Sequence, residues 1–226
     1  GVHPLLLAIG SERYTPYAQA KQPAELLTIA NHILGTGQLS LAKFLFITAG
    51  DEPGLSAQHI PEFLQYILQR IDLERDIHFY TNTTIDTLDY SGNGLNSGSK
   101  VVLAAYGEPK RELTTKIPAI LQSLKQFEHP MLVLPGIVII AAKSFTDYTS
   151  AQQEMKALDE QLRNHIDELK EMPILVIADK PDFVAASIQN FLWVTFTRCN
   201  PSYDMYGIAE TIVHKHWGCK GPLIID

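Results

Sequence analysis

Short, uninterrupted apolar runs constrain this fold most. They cover residues 5–9, 44–47 (within a predicted strand at 43–48), 101–105, 137–142 and 174–178, and turn-forming residues or predicted helices separate them. A half-exposed strand alternates polar and apolar residues, whereas a strand covered on both faces is apolar throughout. The repeated strand–helix order therefore predicts an α/β fold in three layers, a mostly parallel sheet with helices on both faces.

Apolar residues at helical spacing predict the covering layers. Residues 23–34 begin with a proline and end before Gly35, and residues 60–71 keep one apolar stripe over three turns. Further helices are predicted at 117–127, 150–170, 204–214 and, in short form, from Asp182. Further strands are predicted at 77–81, 131–134 and 191–196. We expect residues 1–226 to form a single α/β domain, with a polar excursion from the sheet near 106–116.

The loop at residues 82–98 is rich in glycine, asparagine and aspartate and allows two interpretations. Consecutive glycines followed by Ser99 and Lys100 suggest a phosphate cradle, because backbone N–H groups beside a lysine bind anions. A phosphate-binding loop, however, places its lysine at the start of a helix, whereas Lys100 leads into an apolar strand. The order of residues favours an ordered structural connector.

Composition excludes several classes of protein. A formal net charge of −7 without a basic stripe argues against a nucleic-acid partner. The longest apolar run, residues 131–142, is shorter than the ~20 residues of a membrane-spanning helix. Cys199 and Cys219 do not make a disulfide framework, so we expect a reducing, cytoplasmic environment. The opening without Met and the apolar last residues lead us to expect a C-terminal fragment of a longer chain.

Four blocks of sequence resemble the C-terminal part of the UbiD family of prenylated-flavin-dependent decarboxylases. In chain order the blocks are residues 43–47 (KFLFI), 70–76 (RIDLERD), 82–89 (NTTIDTLD) and 98–100 (GSK). Four blocks in the family's order indicate the family more specifically than any single block does. The chain departs from the family pattern at 49–53, where an acidic run is usual, and at Gln65, Thr84 and Ala104.

The resemblance implies a carboxy-lyase that uses prenylated FMN and a divalent metal such as manganese in the full-length enzyme. The type member acts on 3-polyprenyl-4-hydroxybenzoate in ubiquinone or menaquinone biosynthesis. The family's catalytic Glu-Arg-Glu/Asp constellation and metal ligands lie upstream of the block at residue 43. We therefore expect no catalytic residue, metal ligand or bound cofactor within this fragment. Its implied partners are the upstream flavin-binding portion of the same polypeptide and other copies in a homo-oligomer.

Lys43 is the one candidate cofactor-binding residue. The resemblance places it where some family members carry a lysine that approaches the flavin, and a lysine is a suitable point charge for phosphate. The alternative is a side chain that extends from the strand end into water. The alternative for the whole chain is a free-standing α/β ligand-binding or scaffold domain without enzymatic activity, since fold alone does not establish function.

The remaining candidate residues form weaker patterns. His214, His216 and Cys219 are metal-ligand types, but no second closely spaced pair completes a zinc site. Cys199 with a histidine, or Ser187 with Asp182, lacks the sequence context of a nucleophilic enzyme. Cys199, close to Trp193 and Phe196 in sequence, is expected in the core.

Overall fold

The computed structural model describes residues 4–14, 21–50 and 53–226. Residues 1–3, 15–20 and 51–52, the last two within the segment 49–53 named above, lie outside these ranges. The strands are β1 (Leu5–Gly10), β2 (Phe44–Ala49), β3 (Ile77–Thr83), β4 (Gly98–Ala105), β5 (Glu128–Leu134), β6 (Ile137–Ala141), β7 (Ile174–Ala178), β8 (Met205–Gly207), β9 (Glu210–Val213), β10 (His216–Cys219) and β11 (Leu223–Ile225). The α-helices are α1 (Glu25–Leu34), α2 (Ile60–Arg70), α3 (Tyr148–Leu162), α4 (Ile166–Leu169), α5 (Pro181–Ala185), α6 (Ile188–Arg198) and α7 (Pro201–Asp204).

The first sheet has the strand order β1-β2-β4-β3. Strands β1, β2 and β4 run parallel, and β3 is antiparallel to β4 at the edge. Successive side chains of a strand point to opposite faces. Leu45 and Ile47 of β2 accordingly pack with Leu26 and Ala30 of α1 on one face, while the alternate residues of β2 enter a different core on the other. The apolar run of β2 therefore contributes side chains to two separate hydrophobic cores.

The second sheet has the order β5-β6-β7-β11-β8. Its three central strands are parallel, and β5 and β8 are antiparallel edges. Gly136 adopts a φ of +80° in the tight turn between β5 and β6, a conformation that glycine adopts without steric cost. Helices α3 and α4 cover the outer face through Met155, Leu158, Leu162 and Leu169.

One apolar core joins the facing sides of the two sheets. It combines Phe44 and Phe46 of β2 with Ile139 of β6 and Val176 of β7, and it includes side chains of α2 and α6. The layers follow the order helix, sheet, helices, sheet, helix. The α/β class and the helices on both faces of a sheet are confirmed, but the three layers expected for one sheet become five because the strands form two large sheets. The parallel order is confirmed in part, because half of the pairs among the described strands are antiparallel and these strands divide among three sheets, one of them the two-stranded β9–β10 sheet.

Two predicted segments differ in type from the structure. Residues 191–196, predicted as a strand, lie within helix α6, where Ser187 accepts a capping hydrogen bond from the Asn190 backbone N–H. Residues 204–214, predicted as a helix, form β8, a turn and β9. Ala209 has a φ of +53° there, and β9 pairs antiparallel with β10.

Two further predictions differ mainly in extent. Residues 117–127 contain only the short 3-10 helix Ala119–Ser123, and the helix predicted over 150–170 stops at Leu162 before α4. The polar segment 106–116 carries no helix or strand and connects the two sheets. Its Arg111 side chain donates to the carbonyls of Leu68 and Ile71 at 2.7 and 2.8 Å. Among the described residues, no helix is long and apolar enough to cross a bilayer.

Candidate functional site

The long loop between β3 and β4 is an ordered structure with its own hydrogen bonds. Asn96 donates from Nδ2 to the Ile85 carbonyl at 3.1 Å and to the Thr87 hydroxyl at 2.9 Å. The Asn93 N–H donates to the Ser97 carbonyl at 2.8 Å. A Cβ at Gly92 would lie 2.2 Å from the Ser97 carbonyl oxygen, so only glycine allows this close approach. The loop therefore holds a defined shape beside the start of β2.

Lys43 lies directly before β2, and its side chain is buried beneath this loop with 1% exposure. Its Nζ lies 2.9 Å from Asp89 Oδ2 and donates to Ser91 Oγ at 2.6 Å and to the Thr197 carbonyl at 3.3 Å. The structure excludes a side chain extended into water. An ammonium group has three donors, and all three have acceptors here. In this arrangement Lys43 offers no free charge to a flavin phosphate, and its contact with a cofactor stays a prediction.

Asp89 is the acidic partner that ties the loop to Lys43. Ser91 donates to Asp89 Oδ1 from its backbone N–H at 2.9 Å and from its hydroxyl at 2.6 Å. Burial acts to raise the pKa of Asp89, but the hydrogen bonds from Ser91 and Lys43 outweigh it and hold that pKa below its ordinary value. Asp89 is therefore a carboxylate at neutral pH. The pairing with Lys43 was not predicted, although both residues belong to the blocks described above.

A second polar group links the first sheet to α7. The Ser99 hydroxyl of β4 donates to Asn200 Oδ1 and accepts from the Ser202 N–H at 2.9 Å. The Asn200 N–H donates to Asp204 Oδ2 at 2.5 Å. Burial raises the pKa of Asp204 to about 6, although the Asn200 hydrogen bond and the charge of Lys43 act in the opposite direction. These contacts fasten the segment after α6 to the strand that follows the loop.

The phosphate-cradle interpretation of residues 98–100 does not fit the geometry. Lys100 lies inside strand β4 with a buried side chain, and its Nζ donates to the Ser40 carbonyl. Burial lowers the pKa of Lys100. The Lys100 ammonium is therefore bonded to a residue outside the loop, and the arrangement supports the structural connector.

The candidate nucleophiles do not form a catalytic group. Cys199 is buried, and burial, followed by the charge of Asp204, raises the pKa of its thiol well above the ordinary value. A thiol held in this protonated form is a poor nucleophile. Ser187 is occupied as the helix cap of α6, while Asp182 lies in the first turn of α5. Cys199 belongs to the apolar core, as the sequence predicted.

The two histidines and the cysteine near the end of the chain lie at different points of the β9–β10 hairpin, His214 in its turn and His216 and Cys219 on β10. His214 lies in its turn with a φ of +49° and is exposed, whereas Cys219 is buried and burial raises its pKa. Throughout residues 4–14, 21–50 and 53–226, no group of three or more His, Cys, Asp and Glu side chains has a metal-binding arrangement.

Apolar side chains project from the loop and from the neighbouring helix into solvent. Leu88 and Tyr90 of the loop are 76% and 90% exposed, and Trp193 of α6 is 60% exposed. Together with Ser91 and Thr197, both partners of Lys43, they line a cleft of about 470 Å³. We call the group Leu88, Tyr90 and Trp193 the loop–α6 surface. The sequence did not predict this surface, because Trp193 belongs to it only when Ile188–Arg198 forms a helix.

Comparison with known proteins gives consistent matches. Residues 1–105 match the 3-octaprenyl-4-hydroxybenzoate carboxy-lyase C-terminal domain. An uncharacterized protein of Chlamydia caviae is 33% identical over 226 residues, which cover 100% of this chain and 35% of that protein. A protein of Chlamydia pneumoniae named as a 4-hydroxybenzoate decarboxylase subunit is 33% identical over 232 residues, again 35% of its length. The chain thus spans about a third of these relatives.

A solved structure was also matched, the vanillic acid decarboxylase of Sedimentibacter hydroxybenzoicus in closed form. The TM-score is 0.33 at 17% sequence identity, over 60% of this chain and 23% of that one. The motif blocks at residues 43–100 lie within the range matched to the carboxy-lyase domain. Residues 1–105, which contain these blocks, are similar to the C-terminal domain of the UbiD carboxy-lyases.

Proposed function

We propose that this chain is the assembly domain of a UbiD-like carboxy-lyase that non-oxidatively decarboxylates an aromatic or α,β-unsaturated acid of the 3-polyprenyl-4-hydroxybenzoate type. Prenylated FMN, bound with a divalent metal by the upstream part of the polypeptide, supplies the electron sink for decarboxylation. The residues of this chain pack against that part and bring protomers together in a cytoplasmic homo-oligomer. The observation that carries the proposed role is the loop–α6 surface.

The exposed apolar side chains of the loop–α6 surface favour packing against another part of the polypeptide. Large apolar side chains grouped on one surface are favourable sites of protein contact, because their burial removes apolar area from water. Here the underlying loop is held by the Lys43–Asp89 ion pair, so Leu88 and Tyr90 are presented on a rigid support. Less conformational entropy is lost when such a surface binds. The relatives extend well beyond the matched region, which supports the remainder of a longer polypeptide as the occupant.

The direct test compares this chain with the intact gene product, each co-expressed with a flavin prenyltransferase. We expect the intact polypeptide to release carbon dioxide from 4-hydroxybenzoate or a related acid. The isolated chain should be colourless and inactive, and it should self-associate in light scattering. Turnover by the isolated chain, or flavin bound to it in stoichiometric amount, would contradict the proposal. A reading frame without flavin-domain sequence would favour the alternative of a free-standing domain.

The loop–α6 surface is tested in the intact polypeptide by the double substitution Tyr90→Ser and Trp193→Gln. We expect activity and oligomer content to fall together, with unchanged secondary structure. Tyr14→Ser is the matched control, because Tyr14 is 86% exposed and lies outside this surface. Full activity and normal assembly in the double variant would remove the surface from the proposal.

The role of Lys43 is tested by comparing Lys43→Ala with Asp89→Asn in the intact enzyme. Direct contact with the cofactor predicts that only Lys43→Ala lowers flavin content. A role limited to supporting the loop predicts similar losses in both variants, because each breaks the same ion pair. Unchanged flavin content in Lys43→Ala would exclude the contact.

A further inference from the structure

A second cavity lies against edge strand β3 of the first sheet and shares no lining residue with the cleft at the loop–α6 surface. It has a volume of about 380 Å³ and lies between edge strand β3, the first turn of α7 and the β9–β10 hairpin. Ile77, Phe79, Met205 and Trp217 give it apolar walls. Its volume lies within the range of small-molecule sites, which are largely apolar with a few placed polar groups. We call it the hairpin cavity.

Two aromatic walls shape the hairpin cavity for a flat ligand. The rings of Phe79 and Trp217 meet edge to face, with centroids 5.3 Å apart. The hairpin is held against the sheet by its backbone, since the Cys219 N–H donates to the Leu73 carbonyl at 3.0 Å. The cavity is therefore a preformed space between two strands of different sheets.

Two polar atoms at this cavity have no hydrogen-bond partner among the described residues. They are Nε2 of His216 and Oγ of Ser202, and both are shielded from solvent. Both residues line the hairpin cavity. A buried polar atom without a partner loses the hydrogen bonds that it would make in water. A ligand that brings acceptor oxygens to these two atoms would satisfy both.

The charges around the cavity favour an anion. No carboxylate side chain is among its described lining residues, although the chain has 25 acidic residues against 18 lysines and arginines. Lys215 lines the cavity, and His78 and His216 face each other with ring centroids 5.0 Å apart. Burial, together with the positive fields of His216 and Arg75, lowers the pKa of His78 to about 4. His78 is therefore a neutral imidazole at neutral pH.

We propose that the hairpin cavity binds a small organic anion with a flat apolar body, of the size of an aromatic monocarboxylate. The body lies against Phe79 and Trp217. The carboxylate accepts hydrogen bonds from Ser202 and His216, and Lys215 supplies the opposite charge. A metal ion fits less well, since the described residues offer only the two imidazoles and no third ligand. This site is independent of the proposed carboxy-lyase function and uses none of its residues.

Fluorescence titration tests the site in the 226-residue chain with benzoate as the probe. Trp193→Phe is introduced first, which leaves Trp217 as the one remaining tryptophan of the two. We expect benzoate to change Trp217 emission saturably. Benzyl alcohol, which has the same ring without the charge, should bind at least about tenfold more weakly, because a hydrogen bond to a charged group contributes that much or more.

Substitutions separate this site from nonspecific binding. Ser202→Ala and His216→Gln should each weaken benzoate binding about tenfold, whereas His214→Gln, on the exposed turn of the same hairpin, should not change it. Nuclear magnetic resonance of the unsubstituted chain gives a second measurement, with shifts expected in β3 and β10. No saturable response, equal binding of benzyl alcohol, or equal affinity in Ser202→Ala and His216→Gln would each overturn the proposal.

Discussion

At the scale of single residues, the buried ion pair of Lys43 and Asp89 determines how the loop is held. Removing one member leaves the other charge buried without compensation, which costs about 3 to 5 kcal/mol in comparable pairs. We therefore predict that Lys43→Met lowers the free energy of unfolding by about 3 kcal/mol. Urea denaturation measures the change. Lys116→Met, at an exposed lysine, should alter stability by less than about 0.5 kcal/mol.

The same pair predicts a dependence on pH. The pKa of Asp89 is lower in the folded chain than in the unfolded chain. Its contribution to stability is therefore present above the unfolded pKa and is lost as pH falls through the folded value. The stability difference between the wild type and Lys43→Met should shrink below about pH 4. A difference that stays constant down to about pH 2 would contradict this account of the pair.

Asp204 should make stability depend on pH in the opposite direction. Its pKa rises to about 6 in the folded state from an ordinary value of 3.8, first because of burial. Between these values the folded state binds more protons than the unfolded state, so stability decreases as pH rises through this window. Asp204→Asn, which keeps an oxygen to accept from the Asn200 N–H, should reduce the decrease and raise stability at about pH 7.5 by about 1 to 2 kcal/mol.

Thermal unfolding across about pH 4 to 7.5 measures the effect of Asp204→Asn. Glu160→Gln, at an exposed position of α3, serves as the control and should keep the wild-type profile. An unchanged slope in Asp204→Asn would show that another group dominates stability in this window.

At the scale of elements, the sequence is informative wherever one periodicity dominates. The apolar runs of β2, β4, β6 and β7 were predicted as strands covered on both faces, and each contributes to two cores. Residues 191–196 were predicted as a strand because aromatic and β-branched residues favour strands. The helix prevails because Phe191, Leu192, Thr195 and Phe196 form one buried face at helical spacing. Packing against the rest of the fold therefore determines the structure of this segment more strongly than its local strand propensity does.

The β9–β10 hairpin shows why the segment after α7 was harder to predict. Its turn at His214 and Lys215 uses two residues with positive φ that are not glycine, so no standard turn signal marks it. The candidate site was predictable only in part, because it depends on contacts that the fold creates. Lys43 was selected from its motif, but Asp89, Ser91 and Thr197 reach it only through the fold of the loop and α6.

Gly218 lies where strand β10 packs closely against the backbone of Glu74. An added Cβ would lie 2.5 Å from the Glu74 carbonyl oxygen and 2.6 Å from its Cα, which are backbone atoms that cannot rotate away. Gly218→Val should therefore displace the hairpin, lower the free energy of unfolding by about 1 to 3 kcal/mol and change Trp217 fluorescence. Val213→Ala, at an exposed position on the same hairpin, should leave both unchanged. A Gly218→Val variant with wild-type stability would contradict the tight docking of β10.

At the scale of the whole molecule, the two sheets depend on a common core. The ring of Phe196 on α6 packs edge to face against Phe44 at 4.9 Å, Phe46 at 5.9 Å and Phe191 at 5.8 Å, measured between centroids. The same core includes Ile139 and Val176 of the second sheet. Because the interior is closely packed, a void at Phe196 should weaken both sheets.

We predict that Phe196→Ala lowers the free energy of unfolding by about 3 to 5 kcal/mol, the usual cost of removing a buried aromatic ring. Hydrogen exchange distinguishes a shared core from two independent ones. With a shared core, the amides of β2 and β7 lose protection to the same extent, because opening either sheet exposes the contact between them. Phe183→Ala, at a half-exposed ring of α5, should leave both strands protected. Loss of protection confined to one sheet would mean that the halves unfold separately and that α6 belongs to only one of them.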